Sequence, residues 1–182
     1  MKKTTLMFLF FTIITAAQNR NSEHYIAFSA AFDIKNSISG NIATNQKPTL
    51  DALYQFSMVG QNFEVNIGYE NFNAICFDKY TVGVGYHFPL YGRIGGNEIR
   101  TILIPSIEPT LIGRWGTEWQ TISSHLSIAV NIAFRWHITD DFLIETLINA
   151  LPRTDLSTRY PDINYCAPIV VSKFIKLIYK IN

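Results

Sequence analysis

Eight successive segments of about ten residues, each alternating apolar and polar side chains, follow the N-terminal leader of this 182-residue chain. A period of two places neighbouring side chains on opposite faces of a strand, so every segment carries one apolar and one polar face. A strand tilted across a bilayer needs about 9 to 11 residues, and an even number of antiparallel strands closes a barrel with both chain ends on one side. The pattern therefore predicts an all-β fold, an eight-stranded antiparallel up-and-down transmembrane β-barrel. It specifies a solvent and a shape, and neither is a reaction.

The faces can be written out. In the first segment Ile26, Phe28, Ala30, Phe32 and Ile34 oppose Ala27, Ser29, Ala31, Asp33 and Lys35. Leu50, Ala52, Tyr54, Phe56 and Met58 oppose Asp51, Leu53, Gln55 and Ser57 in the second, and Phe63, Val65, Ile67 and Tyr69 oppose Glu64, Asn66, Gly68 and Glu70 in the third. The fourth sets Tyr80, Val82, Val84, Tyr86 and Phe88 against Thr81, Gly83, Gly85 and His87, and the fifth sets Leu103, Ile107 and Leu111 against Ser106, Glu108, Thr110 and Arg114. The sixth runs from His125 to Trp136 with the even positions apolar, and the eighth opposes Ile175, Leu177, Tyr179 and Ile181 to Lys176, Ile178 and Lys180. Pro105 and Pro109 fall inside the fifth, where each removes a ladder donor and argues for an edge or a bulge. The seventh, Asp141 to Leu151, also fits helical spacing, but a helix there would leave an open sheet edge facing lipid, so a strand is expected.

Connection lengths follow from the same topology. With the N-terminus on the periplasmic side, turns after strands two, four and six should be short, and loops at 36 to 47, 71 to 78, 113 to 122 and 152 to 167 should be longer and surface-facing. The stretch from Phe88 to Glu98 is longer than this rule asks. Trp115, Trp119, Tyr25, Tyr69, Tyr80, Tyr86 and Tyr179 lie near segment ends, where interfacial girdles place aromatics.

Met1, Lys2 and Lys3, the apolar run Leu6 to Ile14 and the small residues Thr15, Ala16 and Ala17 have the form of a secretory signal peptide, predicting residues 1–17 as leader and 18–182 as one barrel domain. The chain is 48% hydrophobic with 16% charged residues, yet no later apolar run is long enough for a transmembrane helix. Removing Lys2 and Lys3 leaves 13 basic against 14 acidic residues, so no basic surface for nucleic acid is expected. A secreted soluble barrel of the lipocalin or avidin kind has the same strand count and leader, and differs in burying its apolar face around a ligand. Eight strands leave little room inside for so many bulky apolar side chains, which favours apolar outside and polar inside.

Four stretches carry a resemblance: Phe174 to Asn182, Tyr86 to Gly92, Ile104 to Glu108 and Leu151 to Leu156. Together they resemble small outer-membrane β-barrel proteins of the OmpA/OmpX-like kind found in Bacteroidota. The resemblance spans the mature chain and implies a cell outer membrane location. It also implies outer-membrane lipids and lipopolysaccharide as surroundings, the barrel-assembly machinery as a partner in biogenesis, and a structural or surface-interaction role without enzyme activity. Such proteins end in an aromatic residue, whereas this chain ends in Ile181 and Asn182, with Tyr179, Leu177 and Ile175 keeping the alternation. A periplasmic domain of the kind larger members carry is not expected, and a monomer presenting its loops to an extracellular ligand is.

Glu64, Glu70, Glu108, Arg114, Arg135 and Glu145, with Arg100 and Lys176, are placed on the inward face and are expected to form a mixed-sign network filling the lumen. His125 and Ser127 resemble the His-x-Ser pair of outer-membrane lipid A deacylases, in which the histidine activates the serine. Their inward parity turns them from the lipid, so no catalytic residue is assigned. Cys76 and Cys166 sit in or beside surface loops and either pair across the barrel mouth or stay as thiols. His24, His87 and His137 lack metal-ligand spacing, and neither metal nor cofactor is expected.

Overall fold

A computed structural model describes residues 23–40, 45–94, 97–115, 123–159 and 168–181. The expected leader, Trp119 and Cys166 lie outside the described residues. Nine antiparallel strands form a single sheet: β1 (Glu23–Asp33), β2 (Ala52–Gln61), β3 (Phe63–Phe72), β4 (Phe77–Tyr86), β5 (Phe88–Ile94), β6 (Asn97–Arg114), β7 (Ser123–His137), β8 (Phe142–Pro152) and β9 (Ile169–Ile181). The sheet runs β4-β3-β2-β1-β9-β8-β7-β6-β5, and a β4–β6 pairing closes it into a ring of eight staves. Closure satisfies the backbone donors and acceptors that an open edge would leave bare. No described helix is long and apolar enough to cross a membrane.

The ninth strand explains the long fourth connection. β4 and β5 pair with β6 in one continuous register, Phe77 with Arg114 at one end and Ile94 with Asn97 at the other. The stretch expected as a loop is therefore a two-stranded ribbon, and β6 reaches 18 residues because it serves both barrel and ribbon. The ribbon leaves the ring where β7 stops, since Thr101 is the last β6 residue with a partner there, Trp136. Arg100 lies past that point, opposite Tyr91 on the ribbon, with the same parity as the buried Ile102 and Ile104.

Stagger is strong. Neighbours followed from Ile26 through Met58, Val65, Val84, Ile107, Val130 and Ala150 arrive at Val171. Extending the β1–β9 register to that level puts Val171 opposite Asn36, ten residues along from the start. Such a shear tilts the staves and widens the ring enough to take side chains.

Pro105 and Pro109 sit within β6 without a bulge. The ladder to β7 is unbroken at both, Pro105 facing Ile132 and Pro109 facing Ile128. On the β4 side it lapses opposite them, between Thr81–Thr110 and Val84–Ile107 and again beyond Gly85–Ser106. Four residues apart, the two prolines direct their missing donors to the same edge, so one ladder carries the whole loss.

Segment 141–151 is the strand β8, not a helix. Its inward face holds Leu143, Leu147 and Leu151 beside Glu145 and Asn149. Apolar residues on both faces blur the period of two and imitate a helix. The connection between β3 and β4 is shorter than expected, a single 3₁₀ turn at Asn73–Ile75 followed by Cys76 with φ 51°. At the same end β1 leads into a helical turn at Lys35–Ser39, and β8 into the short helix α1 (Thr154–Arg159).

Outward positions form an apolar belt. Leu126, Ile128 and Val130 on β7 are 78%, 58% and 54% exposed, and Val82, Val84, Ile67, Val65, Ile107 and Leu177 continue the belt round the ring. Aromatics gather at the end with the tight turns, where Phe63 meets Tyr86 edge-on at 5.0 Å, Tyr86 meets Phe88 at 4.6 Å and Phe142 meets Tyr179 at 5.1 Å. Tyr69 and Tyr80 stack obliquely at 5.1 Å on the barrel's outer surface. Tyr25, expected in a girdle, turns inward instead: its hydroxyl accepts from Arg135 Nη1 at 2.9 Å.

Candidate functional site

Inward parity delivers one polar side chain from each of seven staves, and His87 from the joint between β4 and β5, to a common level of the lumen. Arg135 on β7 is the hub: its Nε donates to Glu145 Oε2 at 2.7 Å, and its Nη2 lies 2.6 Å from that oxygen and 2.9 Å from Glu64 Oε2. Glu64 on β3 also meets His87 Nε2 at 2.8 Å, at the joint between β4 and β5. Lys176 on β9 reaches Glu145 Oε1 at 2.5 Å and donates to Gln55 Oε1 on β2 at 2.7 Å. Gln55 Nε2 then donates to Glu108 Oε1 on β6 at 3.2 Å. With Tyr25 of β1 the chain of contacts runs through seven staves and the joint between β4 and β5.

Arg135, Glu145, Glu64, Gln55, Glu108, Lys176 and His87 are all buried. Charges survive such burial only when paired and hydrogen-bonded, and here each carboxylate of the hub accepts more than one donor. Space around them is scarce. A cavity of about 10 Å³ lies at this level, bounded by Glu64, Glu108, Arg135, Glu145 and Lys176 among others, about enough for one water. Gly83 shows the same crowding, since a Cβ there would stand 2.6 Å from Asn66 Oδ1 and 2.8 Å from Glu108 Cγ.

Of the eight charges expected in the lumen, the structure joins Glu64, Arg135, Glu145, Lys176 and, through Gln55, Glu108. Glu70 and Arg114 lie nearer the loop mouth. Glu70 pairs with Lys79 on the neighbouring stave. Arg114 Nε is 3.6 Å from Asp155 Oδ2, and Arg153 holds both Asp155 oxygens at 2.7 Å while its guanidinium lies 4.6 Å from the Phe77 ring centroid. Sequence reasoning missed Lys79 because it opened the fourth strand at Tyr80; begun at Phe77, the alternation turns Lys79 inward. His87 carried the right parity but was weighed only as a metal ligand.

Above the Glu70–Lys79 pair the loop mouth opens into a cavity of about 700 Å³. Asp33, Asp51 and Glu70 line it from the ends of β1, β2 and β3, and Phe72, Ile75, Phe77, Leu151 and Val170 form an apolar wall. Asp33 is fully engaged, Oδ1 accepting from the Asn36 amide N–H at 2.7 Å and Oδ2 from the Lys173 N–H at 2.8 Å. Asp51, just ahead of β2, accepts from Asn36 Nδ2 at 2.6 Å through Oδ2, while its buried Oδ1 has no hydrogen-bond partner among the described residues. Burial first and the Glu70 charge second push the Asp51 carboxyl up to about 8, against the opposing pull of the Asn36 hydrogen bond.

His125 and Ser127 share the inward face of β7. The Ser127 hydroxyl donates to the Pro152 carbonyl at 2.6 Å, a bond that fastens β7 to the end of β8. Cys76 is a half-buried free thiol. Among the described residues no group of three or more His, Cys, Asp or Glu is arranged to hold a metal ion.

No family model matches the chain, and no curated protein matches it. Solved structures do. The N-terminal β-barrel domain of Pseudomonas aeruginosa OprF aligns over 87% of this chain and 100% of its own at 9% identity, with a TM-score of 0.53. Neisserial surface protein A aligns over 87% of this chain and 97% of its own at 9% identity, with a TM-score of 0.48. Ail, the attachment invasion locus protein of Yersinia pestis, aligns over 88% and 99% at 9% identity, with a TM-score of 0.34. The likeness to the OprF domain is one of fold: the chain is an eight-stranded barrel of the kind that domain forms.

Proposed function

We propose that this chain is an integral outer-membrane β-barrel, exported by its N-terminal leader, with a lumen closed by the cross-barrel charge network and a structural or surface-interaction role without enzyme activity. One observation carries the reading: large apolar side chains are exposed round the outside of the ring while Arg135, Lys79, Glu145 and Asp155 are among its most buried residues. Water penalises that arrangement on both counts, and a bilayer rewards it. A soluble ligand-binding barrel would need the opposite disposition. Membrane lipids and lipopolysaccharide would then contact the belt, the assembly machinery would insert the ring, and the loop mouth would face outward.

Network geometry supports a closed lumen, because seven staves and the β4–β5 joint each commit a polar side chain to one level of a ring that eight strands leave narrow. The bond from Ser127 to Pro152 supports a non-catalytic reading of the His125 and Ser127 pair. Fractionation of the expressing envelope tests the proposal. The protein should be found with the outer membrane, resist SDS until boiled and shift on the gel when heated, and vesicles carrying it should stay impermeable to small sugars. Recovery in the soluble fraction without a heat shift would overturn the location. Sugar-dependent swelling of the vesicles would overturn the closed lumen. A changed lipid A acylation pattern in a Ser127→Ala strain would overturn the absence of catalysis.

A further inference from the structure

The loop mouth holds a cavity that the network below does not use. At about 700 Å³ it has the size of a small-molecule site, and it is closed beneath by the buried Glu70–Lys79 pair. Its two sides differ chemically. Phe72, Phe77 and Leu151 are buried apolar residues, and Ile75 packs against them from the 3₁₀ turn. Across from them stand Asp33, Asp51 and Glu70. The basic residues that line the cavity are Lys35, Lys173 and Arg153, with Lys79 beneath; Arg153 is paired with Asp155 and Lys79 with Glu70.

Asp51 supplies the observation that points to a ligand. Its residue is 2% exposed, yet Oδ1 has no hydrogen-bond donor among the described residues, and a buried carboxylate oxygen without one is costly. Asp33, whose two oxygens are both satisfied, shows that the fold can complete such a group here when nothing else is to be bound.

From this we infer that the loop-mouth cavity is a binding site for a small organic cation, an ammonium carried on an apolar body, with the ammonium donating to Asp51 Oδ1 and the body lying against Phe72, Ile75, Phe77 and Leu151. An ammonium brings donors and no acceptors, which is what an orphaned carboxylate oxygen between two other acids lacks. A bare metal ion suits the site less, because the acids do not converge as a metal cage. Burial and the neighbouring Glu70 charge raise the Asp51 carboxyl, and its proton passes to the buffer as the ammonium docks. The site is separate from the closed lumen and from the lipid-facing belt, so it can stand or fall independently of the proposed function.

The test uses the full barrel in detergent micelles, its fold checked by heat-shifted gel mobility, with 2-phenylethylammonium as probe and 2-phenylethanol as its neutral counterpart. Calorimetry or saturation-transfer NMR should show saturable binding of the ammonium, weakened about tenfold or more by Asp51→Asn, with the alcohol correspondingly weaker on the native barrel. Ile75→Trp, which fills the apolar side without altering a carboxylate, should abolish binding while the barrel still shifts on heating. It serves as the deciding variant if Asp51→Asn does not fold. Equal binding of amine and alcohol, binding indifferent to both substitutions, or no saturable binding would each overturn the inference.

Discussion

Arg135 bridges two carboxylates from two different staves and also donates to Tyr25, so it is the single residue on which the lumen depends most. Arg135→Met leaves Glu64 and Glu145 without their shared counterion, and removing one partner of a buried pair costs about 3–5 kcal/mol. The midpoint of urea unfolding from lipid vesicles should fall accordingly. Adding Glu64→Gln to that variant should recover part of the loss, because fewer uncompensated charges then remain. Asp51 makes a second test at this scale. Its carboxyl is raised to about 8 in the folded barrel from an ordinary 3.8, so the folded state holds the proton more tightly. The resulting stabilisation is complete below the ordinary value and is lost as pH rises through about 8. Unfolding midpoints should decline over that window in the native barrel and flatten in Asp51→Asn. The inward placement of Arg135 and Glu145 was legible from alternation alone. The hub itself was not, because which charges meet depends on the register between staves, a property of no single segment.

At the scale of elements, the eight staves were legible because each presents one apolar face to a continuous surround. β8 was ambiguous for a physical reason: Leu143, Leu147 and Leu151 fill apolar pockets in the lumen and break the contrast between its faces. The ribbon of β5 and β6 was read as a loop because Pro89, Gly92, Gly95 and Gly96 are turn-forming residues, and pairing across it depends on β6 continuing the barrel register. Since β5 pairs with β6 and the ring closes through β4 and β6, the ribbon is an appendage to closure. Deleting residues 91–100 and joining Leu90 to Thr101 through a two-residue turn should leave a barrel that still resists SDS and shifts on heating. Loss of both properties would show that the ribbon is part of the closed structure.

For the whole molecule, the two faces of the ring obey opposite solvents. A charge placed at the middle of the outer face should be expelled by lipid: Val130→Arg, at the centre of β7, should cost about 2–4 kcal/mol in vesicles. The account's central claim is that outward positions touch lipid and inward positions do not. With Cys76 and Cys166 replaced by serine, single cysteines introduced in turn at Leu126, Ser127, Ile128, Ala129, Val130 and Asn131 can be spin-labelled in the vesicle-inserted barrel and their collision rates with oxygen and a polar nickel complex compared. Labels at 126, 128 and 130 should be accessible to oxygen and shielded from nickel, alternating with labels at 127, 129 and 131 that oxygen reaches poorly. Reversed alternation, or uniform access to the polar reagent along the strand, would contradict the inside-out barrel.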